Sequence, residues 1–262
     1  MTRTMSSLAR GAGFTVSDLR ILAETRAWSA PEVMPGHQLV FVRRGLFGLR
    51  LRGWRGLVDP LIAYLRGPDD EQQIAHQPGR EDACTVLTLD ETLTDARPRI
   101  VRTTSRVDLL HRRMLAQARS GLDPFALSEM VTRLAEEAFS QKDSASVAPS
   151  RPSHRRLADA ARELLVANPA QARFDELARE LGVSRAHLSR VFRAETGESL
   201  SGFRTRLRVR SALDRIEAGR TNLAELAAEL GFADHAHLTR TIRAELNLPP
   251  SKLRALITSV QA

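Results

Sequence analysis

The sequence predicts an α+β chain in two parts: a small β-barrel carrying a helical pair, then an all-α domain holding two helix-turn-helix units in tandem. Three observations lead there. Short apolar runs separated by turn signals fill residues ~15–90. From residue ~104 onward, apolar residues recur at helical spacing instead. A segment near the C-terminus is then repeated, almost letter for letter, about fifty residues later.

Size and charge frame these elements. A chain of 262 residues with 42% apolar content can fill two ordinary cores. No apolar run approaches the ~20 residues of a membrane-crossing helix. The N-terminal MTRTMSSLARGAGF lacks the apolar stretch of a signal peptide. The expectation is a cytoplasmic protein with no membrane association. Cys84 is the only cysteine, which excludes an internal disulfide and a cysteine-rich zinc site. The net charge of +8 is uneven: residues 147–262 hold 19 Lys+Arg against 13 Asp+Glu, and residues 1–146 hold 20 against 18. The excess falls on the C-terminal part, as on a surface that approaches a polyanion.

In chain order, residues 39–42 (LVFV) and 46–51 (LFGLRL) flank Arg43-Arg44-Gly45 and read as a hairpin. Trp54, Leu57-Val58, 62–65 (IAYL) and 85–89 (TVLTL) follow, separated by Asp59-Pro60 and Gly67-Pro68-Asp69. Many short strands at this spacing predict a small barrel or sandwich. Residues ~104–141 read as two helices, the second opened by Asp123 as N-cap and Pro124 at the first helical position. Its stripe of Leu127, Met130, Val131 and Leu134 fits either a cover for the barrel or a dimerisation surface. Residues 142–152 (KDSASVAPSRP) are small and polar with no apolar period, and read as a linker. The domains are thus 1–141 and 153–262.

The repeat carries most of the functional information. LARELG at 177–182 returns as LAAELG at 226–231, and AHLSRVFRAE at 186–195 returns as AHLTRTIRAE at 236–245. The second copy is one residue longer between Gly231 and Ala236. Each copy, at about 174–195 and 223–246, has a first helix with one apolar face (Leu177, Ala178, Leu181; Leu226, Ala227, Leu230). A glycine (Gly182; Gly231) then turns the chain, and a cap (Ser184; Asp234) opens a second helix. That second helix buries Leu188, Val191 and Phe192, or Leu238 and Ile242. Its outer face carries Arg185, Ala186, Ser189, Arg190 and Arg193, or His235, Ala236, His237, Thr239, Arg240 and Arg243. Small groups permit close approach to DNA, and arginine can bond guanine O6 and N7 together. Between the copies, residues 199–218 read as one helix with two apolar faces, Leu200, Phe203 and Leu207 against Val209, Leu213 and Ile216. Its span of about 30 Å approaches the ~34 Å of one turn of B-DNA. A plain helical repeat would explain the spacing, but not the arginines at matched outward positions.

With its paired motifs, its longer second copy and the closing LNLPPSKLR at 246–254, the segment ~154–258 resembles the DNA-binding domain of the AraC/XylS family of transcription regulators. The resemblance implies base contacts from Ala186, Ser189 and Arg190, and from His235, Ala236, His237, Thr239 and Arg240. Ser184, Arg185, Arg193 and Arg243 complete the candidate DNA-binding set. More loosely, residues ~15–140 are similar in layout to the cupin-like sensor domain of many family members. That likeness implies a small-molecule effector; a homodimer through the 104–141 helices, RNA polymerase as a partner and service as an activator are expected beside it, with repression staying open. No ligand-binding residue is assigned; Arg43, Trp54 and Tyr64 fit a pocket, but equally a core. The histidine pair and glutamate of a metal-binding cupin are missing, and His37 and His76 stand alone. The expectation is therefore no metal, no cofactor and no enzymatic activity. Two other readings stay open: an architectural DNA binder without a ligand, and a cupin-type enzyme fused to a DNA-binding module.

Overall fold

The computed structural model describes residues 1–90, 99–121, 123–140, 151–170 and 173–258. The chain divides into two compact units, Met1–Ala145 and Ser146–Ala262.

In the first unit, strands β1 (Thr2–Gly11), β2 (Phe14–Leu22), β3 (His37–Arg44), β4 (Phe47–Leu51), β5 (Trp54–Val58), β6 (Ile62–Arg66), β7 (Gln72–His76), β8 (Glu81–Leu89) and β9 (Arg99–Arg102) precede helices α1 (Ser105–Ser120) and α2 (Pro124–Phe139). The strands form an antiparallel sheet of order β1-β2-β8-β3-β6-β9 and a smaller one of order β5-β4-β7. Successive residues of β3 point to opposite faces. Leu39 and Phe41 enter a core shared with α1 and α2, through Val107, Met114, Val131 and Leu134. Val40 and Val42 enter a second core with Phe47, Leu49 and Val58 of the small sheet. The large sheet is thus covered on both sides, which is why its central strands are unbroken apolar runs rather than alternating ones.

Two strand expectations change. Residues 39–42 and 46–51 do not form a hairpin: β3 pairs with β6 and β8, and β4 with β5 and β7. The turn at 43–45 carries the chain from one sheet to the other. Gly45 (φ +94°) is required there, because a Cβ would collide with the Asp82 carboxylate. That carboxylate accepts from Leu46 N at 3.0 Å. A crossover and a hairpin use the same turn residues, so the local signal could not separate them. Strand β1, exposed through Thr2–Ser7 and polar there except at Met5, pairs with β2 along its length and has no apolar alternation to announce it.

The helical pair follows its caps. Thr104 accepts from Val107 N, Gly121 closes α1 with φ 64°, and Asp123 accepts from Phe125 N ahead of Pro124. Leu127, Val131 and Leu134 are buried against the large sheet, with Met130 partly buried beside them. This stripe is a cover for the sheet.

The second unit is all helix among the described residues: α3 (Pro152–Ala167), α4 (Phe174–Glu180), α5 (Arg185–Thr196), α6 (Leu200–Glu217), α7 (Leu223–Glu229), α8 (His235–Leu246) and α9 (Pro250–Thr258). Residues 142–150 of the expected linker lie outside the described residues, and Arg151 and Pro152 already start α3. Helix α3 buries Ala158, Ala161 and Leu165 and packs on α5. All six apolar residues read on the two faces of α6 are buried. Phe203 meets Phe192 of α5 edge-on at 5.4 Å, and the same helix packs on α8 and α9.

Candidate nucleic-acid interface

The two helix-turn-helix units close by the same bonds. In the first, Gly182 N donates to Arg179 O at 3.1 Å and Val183 N to Ala178 O at 3.0 Å. In the second, Gly231 N donates to Ala228 O at 3.2 Å and Phe232 N to Ala227 O at 2.8 Å. Both glycines lie in the left-handed region, at φ 68° and 71°. These bonds occupy carbonyls that the ends of α4 and α7 would otherwise leave unpaired. The next helices start on side-chain caps: Ser184 Oγ accepts from His187 N at 3.2 Å, and Asp234 Oδ1 from His237 N at 2.6 Å. The hydrogen bond from His237 N holds the Asp234 carboxyl below the usual carboxylate range, with Arg240 adding to the effect.

On α5 the structure exposes Arg185, Ala186, Ser189, Arg190 and Arg193; on α8 it exposes His235, His237, Arg240 and Arg243 and half-buries Ala236 and Thr239. Leu188, Val191 and Phe192, like Leu238 and Ile242, face inward. The two outward rows therefore match position by position: Ala186 with Ala236, Ser189 with Thr239, Arg190 with Arg240, Arg193 with Arg243. Among the described residues, neither Arg190 nor Arg193 has an ion-pair partner, and both are free to meet phosphate or base edges. Arg185 is engaged with Asp175 at 3.4 Å and lies over the Phe174 ring. His237 is also committed in part. Its ring packs edge-on against Phe232 at 5.3 Å, and its Nδ1 accepts from Ala233 N at 3.4 Å, leaving Nε2 for an outside partner.

The sequence reading missed the side chain that joins the two units. Arg208 of α6 is 7% exposed. Its Nε donates to Pro169 O at 2.8 Å and its Nη2 to Ala170 O at 3.0 Å, both in the approach to α4. Its Nη1 donates to Gly231 O at 2.9 Å, in the turn of the second unit. Burial, with Arg204 nearby, pulls the guanidinium down to about 10, still protonated at neutral pH. Gly231 is glycine for two reasons: its positive φ, and a backbone approach so close that a Cβ would lie 2.7 Å from Ala170 O. The equivalent Gly182 has open space where its Cβ would be. That asymmetry marks the second turn as the point on which the segment between α3 and α4 docks. An arginine among four in RTRLRVR carries no pattern that reveals this role.

Elsewhere, Glu229 of α7 accepts from Arg215 Nε at 2.9 Å and Arg220 Nη2 at 2.5 Å, which ties α7 to the end of α6. These hydrogen bonds, that of Arg215 foremost, lower the Glu229 carboxyl. Of the N-terminal candidates, Tyr64 is buried and lines a cavity, whereas Arg43 pairs with Asp18. The described residues contain no cluster of three or more His, Cys, Asp or Glu able to hold a metal ion. None of their helices is long and apolar enough to cross a membrane.

Residues 177–255 match the family model of a helix-turn-helix domain. The chain is similar to the uncharacterized helix-turn-helix-type transcriptional regulator YfiF of Bacillus subtilis, 32% identical over 81 residues, which are 31% of this chain and 26% of that protein. It is also similar to the multiple antibiotic resistance protein MarA of Escherichia coli, 29% identical over 80 residues, covering 30% of this chain and 63% of MarA. The chain thus matches less than two thirds of the length of either relative. Among solved structures, a transcriptional regulator from Chromobacterium violaceum with an AraC-type DNA-binding domain is 25% identical, covers 41% of this chain and 97% of its own, and has a TM-score of 0.38. Residues 177–255 of this chain are a helix-turn-helix domain, two helix-turn-helix motifs joined by the single helix α6.

Proposed function

We propose that the whole chain is a sequence-specific transcription regulator that lays α5 and α8 into two successive major grooves, under the control of a small molecule held by the first unit. It acts in the cytoplasm as a homodimer beside RNA polymerase, as an activator, and performs no catalysis. The observation that carries this reading is the matched pair Arg190 and Arg240, both exposed on the outer faces of helices whose inner faces are buried in the same way. Helix α6, of 18 residues, spans about 27 Å and keeps the two reading helices apart by a distance suited to one turn of duplex. Ser184, Arg185, Ala186, Ser189, Arg193, His235, Ala236, His237, Thr239 and Arg243 frame the same surface. Selection of bound sites from random DNA with the full chain tests the reading. Two blocks of base preference about 10–11 base pairs apart are expected. Equal binding of all sequences would replace it with an architectural role.

A further inference from the structure

The inner face of the large sheet carries a cavity of about 40 Å³, and its chemistry is mixed in a particular way. Leu19, Val40 and Val86 form apolar walls. Among them sits Arg66, 3% exposed. Its Nη2 donates to Gln38 Oε1 at 2.6 Å, while its Nε and Nη1 are shut off from solvent with no acceptor among the described residues. Gln72, on the same cavity, has a buried Oε1 without a donor. The other charges nearby are already satisfied: Glu32 pairs with Arg3 at 3.4 Å, and Asp70 with Arg52 at 2.8 Å. Arg66 is the unbalanced charge of this site. Burial lowers its proton affinity, the mark of a cation held where water cannot compensate it.

A buried guanidinium with idle donors destabilises a fold unless something arrives to accept from them. The open side of the cavity is lined by Met1 and Met5, 62% and 55% exposed, and by half-buried Met34. Methionines adapt to apolar shapes of different outline. We propose that this cavity binds a small carboxylate with an apolar body, its carboxylate accepting from Arg66 and its carbon chain leaving past the three methionines. The volume holds the head and first carbons of such a molecule, since one water needs about 10–15 Å³ of it. Apolar walls favour an organic acid over inorganic phosphate, which would gain nothing from them. The inference rests on the regulatory reading above and names its effector class.

Calorimetric titration of the full chain with hexanoate, hexanamide and inorganic phosphate tests the proposal. Hexanoate is expected to bind at least about tenfold more tightly than the neutral amide, because the amide offers one neutral acceptor oxygen where the carboxylate offers two anionic ones to Arg66. Arg66→Gln should weaken hexanoate by a similar factor and leave the amide unchanged. Equal binding of acid and amide, full hexanoate affinity in Arg66→Gln, phosphate binding as tight as hexanoate, or no heat with any acid at about 10 mM would each overturn it. The acid-against-amide comparison uses the unmodified chain, so it decides even if the variant folds poorly. DNA binding is measured on the same preparation without ligand. A chain that binds hexanoate but no DNA keeps the site and loses the regulatory reading; the converse keeps the regulator and loses the site.

Discussion

Arg190 and Arg240 occupy the same place on two helices whose first turns otherwise differ, Arg185 and Ser189 on one, His235 and Thr239 on the other. Each is expected to read its own base. Arg190→Ala and Arg240→Ala should each lose about 1–3 kcal/mol on the specific site and relax preference at one position, the two positions lying about 10–11 base pairs apart. Binding-site selection with each variant checks this; relaxation of one shared base pair would contradict it. A different residue sets a pH dependence. Asp159 of α3, close to Arg162 at 3.7 Å, has its carboxyl raised from 3.8 to about 6, chiefly by burial, with Arg162 acting against that rise. Between those values the folded state holds a proton that the unfolded state has released, so stability falls as pH rises from about 4 to 6. The full penalty, up to about 3 kcal/mol, is present above pH ~6. Asp159→Asn should therefore melt progressively higher than the parent as the pH is raised from 4 to 7. A melting difference that stays flat with pH would show that burial at Asp159 is not the cause. At Cys84, 2% exposed, burial pushes the thiol up to about 12, which leaves it packed and unreactive at neutral pH.

Between elements, the joint that matters most is the clamp of Arg208 between the segment leading into α4 and the turn of the second helix-turn-helix unit. Three carbonyls from two segments accept from one planar guanidinium, and an ammonium cannot reproduce that fan of donors. Arg208→Lys should keep each unit helical but loosen their relative position. The expected result is tolerance of sites whose two half-preferences are moved one base pair closer or farther, where the parent chain rejects them. Retained rejection would show that the packing of α6 alone sets the spacing. In the first unit, Leu134 is fully buried between α2 and the large sheet. Leu134→Asp should lower stability by about 3–5 kcal/mol, the effect of an uncompensated charge in a core. A variant that melts like the parent yet changes its sedimentation would instead make the α2 stripe a surface between subunits.

At the scale of the whole chain, the charge excess and the duplicated reading helices lie in the same part. If about 6–8 phosphates are contacted, log K for DNA should fall against log salt with a slope of about −5 to −7. The fragment 147–262 is expected to fold alone and to show a similar slope. Its core, with Leu188, Phe192, Phe203, Leu213, Leu238 and Ile242 all buried, lies wholly within it. A helical fragment whose DNA affinity ignored salt would remove the polyanion from the account.

The sequence by itself determined what repeats and what caps. A helix-turn-helix is a local object: the turn needs glycine at positive φ, the next helix needs a cap, and the inner face needs apolar residues at helical spacing. Gly182, Ser184 and Leu188 therefore state the motif within seven residues. Duplication of those local signals makes α5 and α8 legible in the sequence, and the two apolar faces between the copies make α6 legible too. Tertiary structure decided what depends on partners distant in the chain. Residues 43–45 became a crossover because β8, about forty residues away, lies between β2 and β3. The polar strand β1 exists because β2 offers it an edge. The α2 stripe turned inward because the large sheet presented an apolar face, and Arg208 became a joint because the carbonyls of Pro169, Ala170 and Gly231 converge on it. Arg66, one arginine among many in the sequence, is set apart only by the fold, which buries it beside a cavity and leaves two of its nitrogens without acceptors. Local propensities are written in neighbouring residues; the pairing of strand edges and the fate of a buried charge are set by whatever the rest of the chain brings against them.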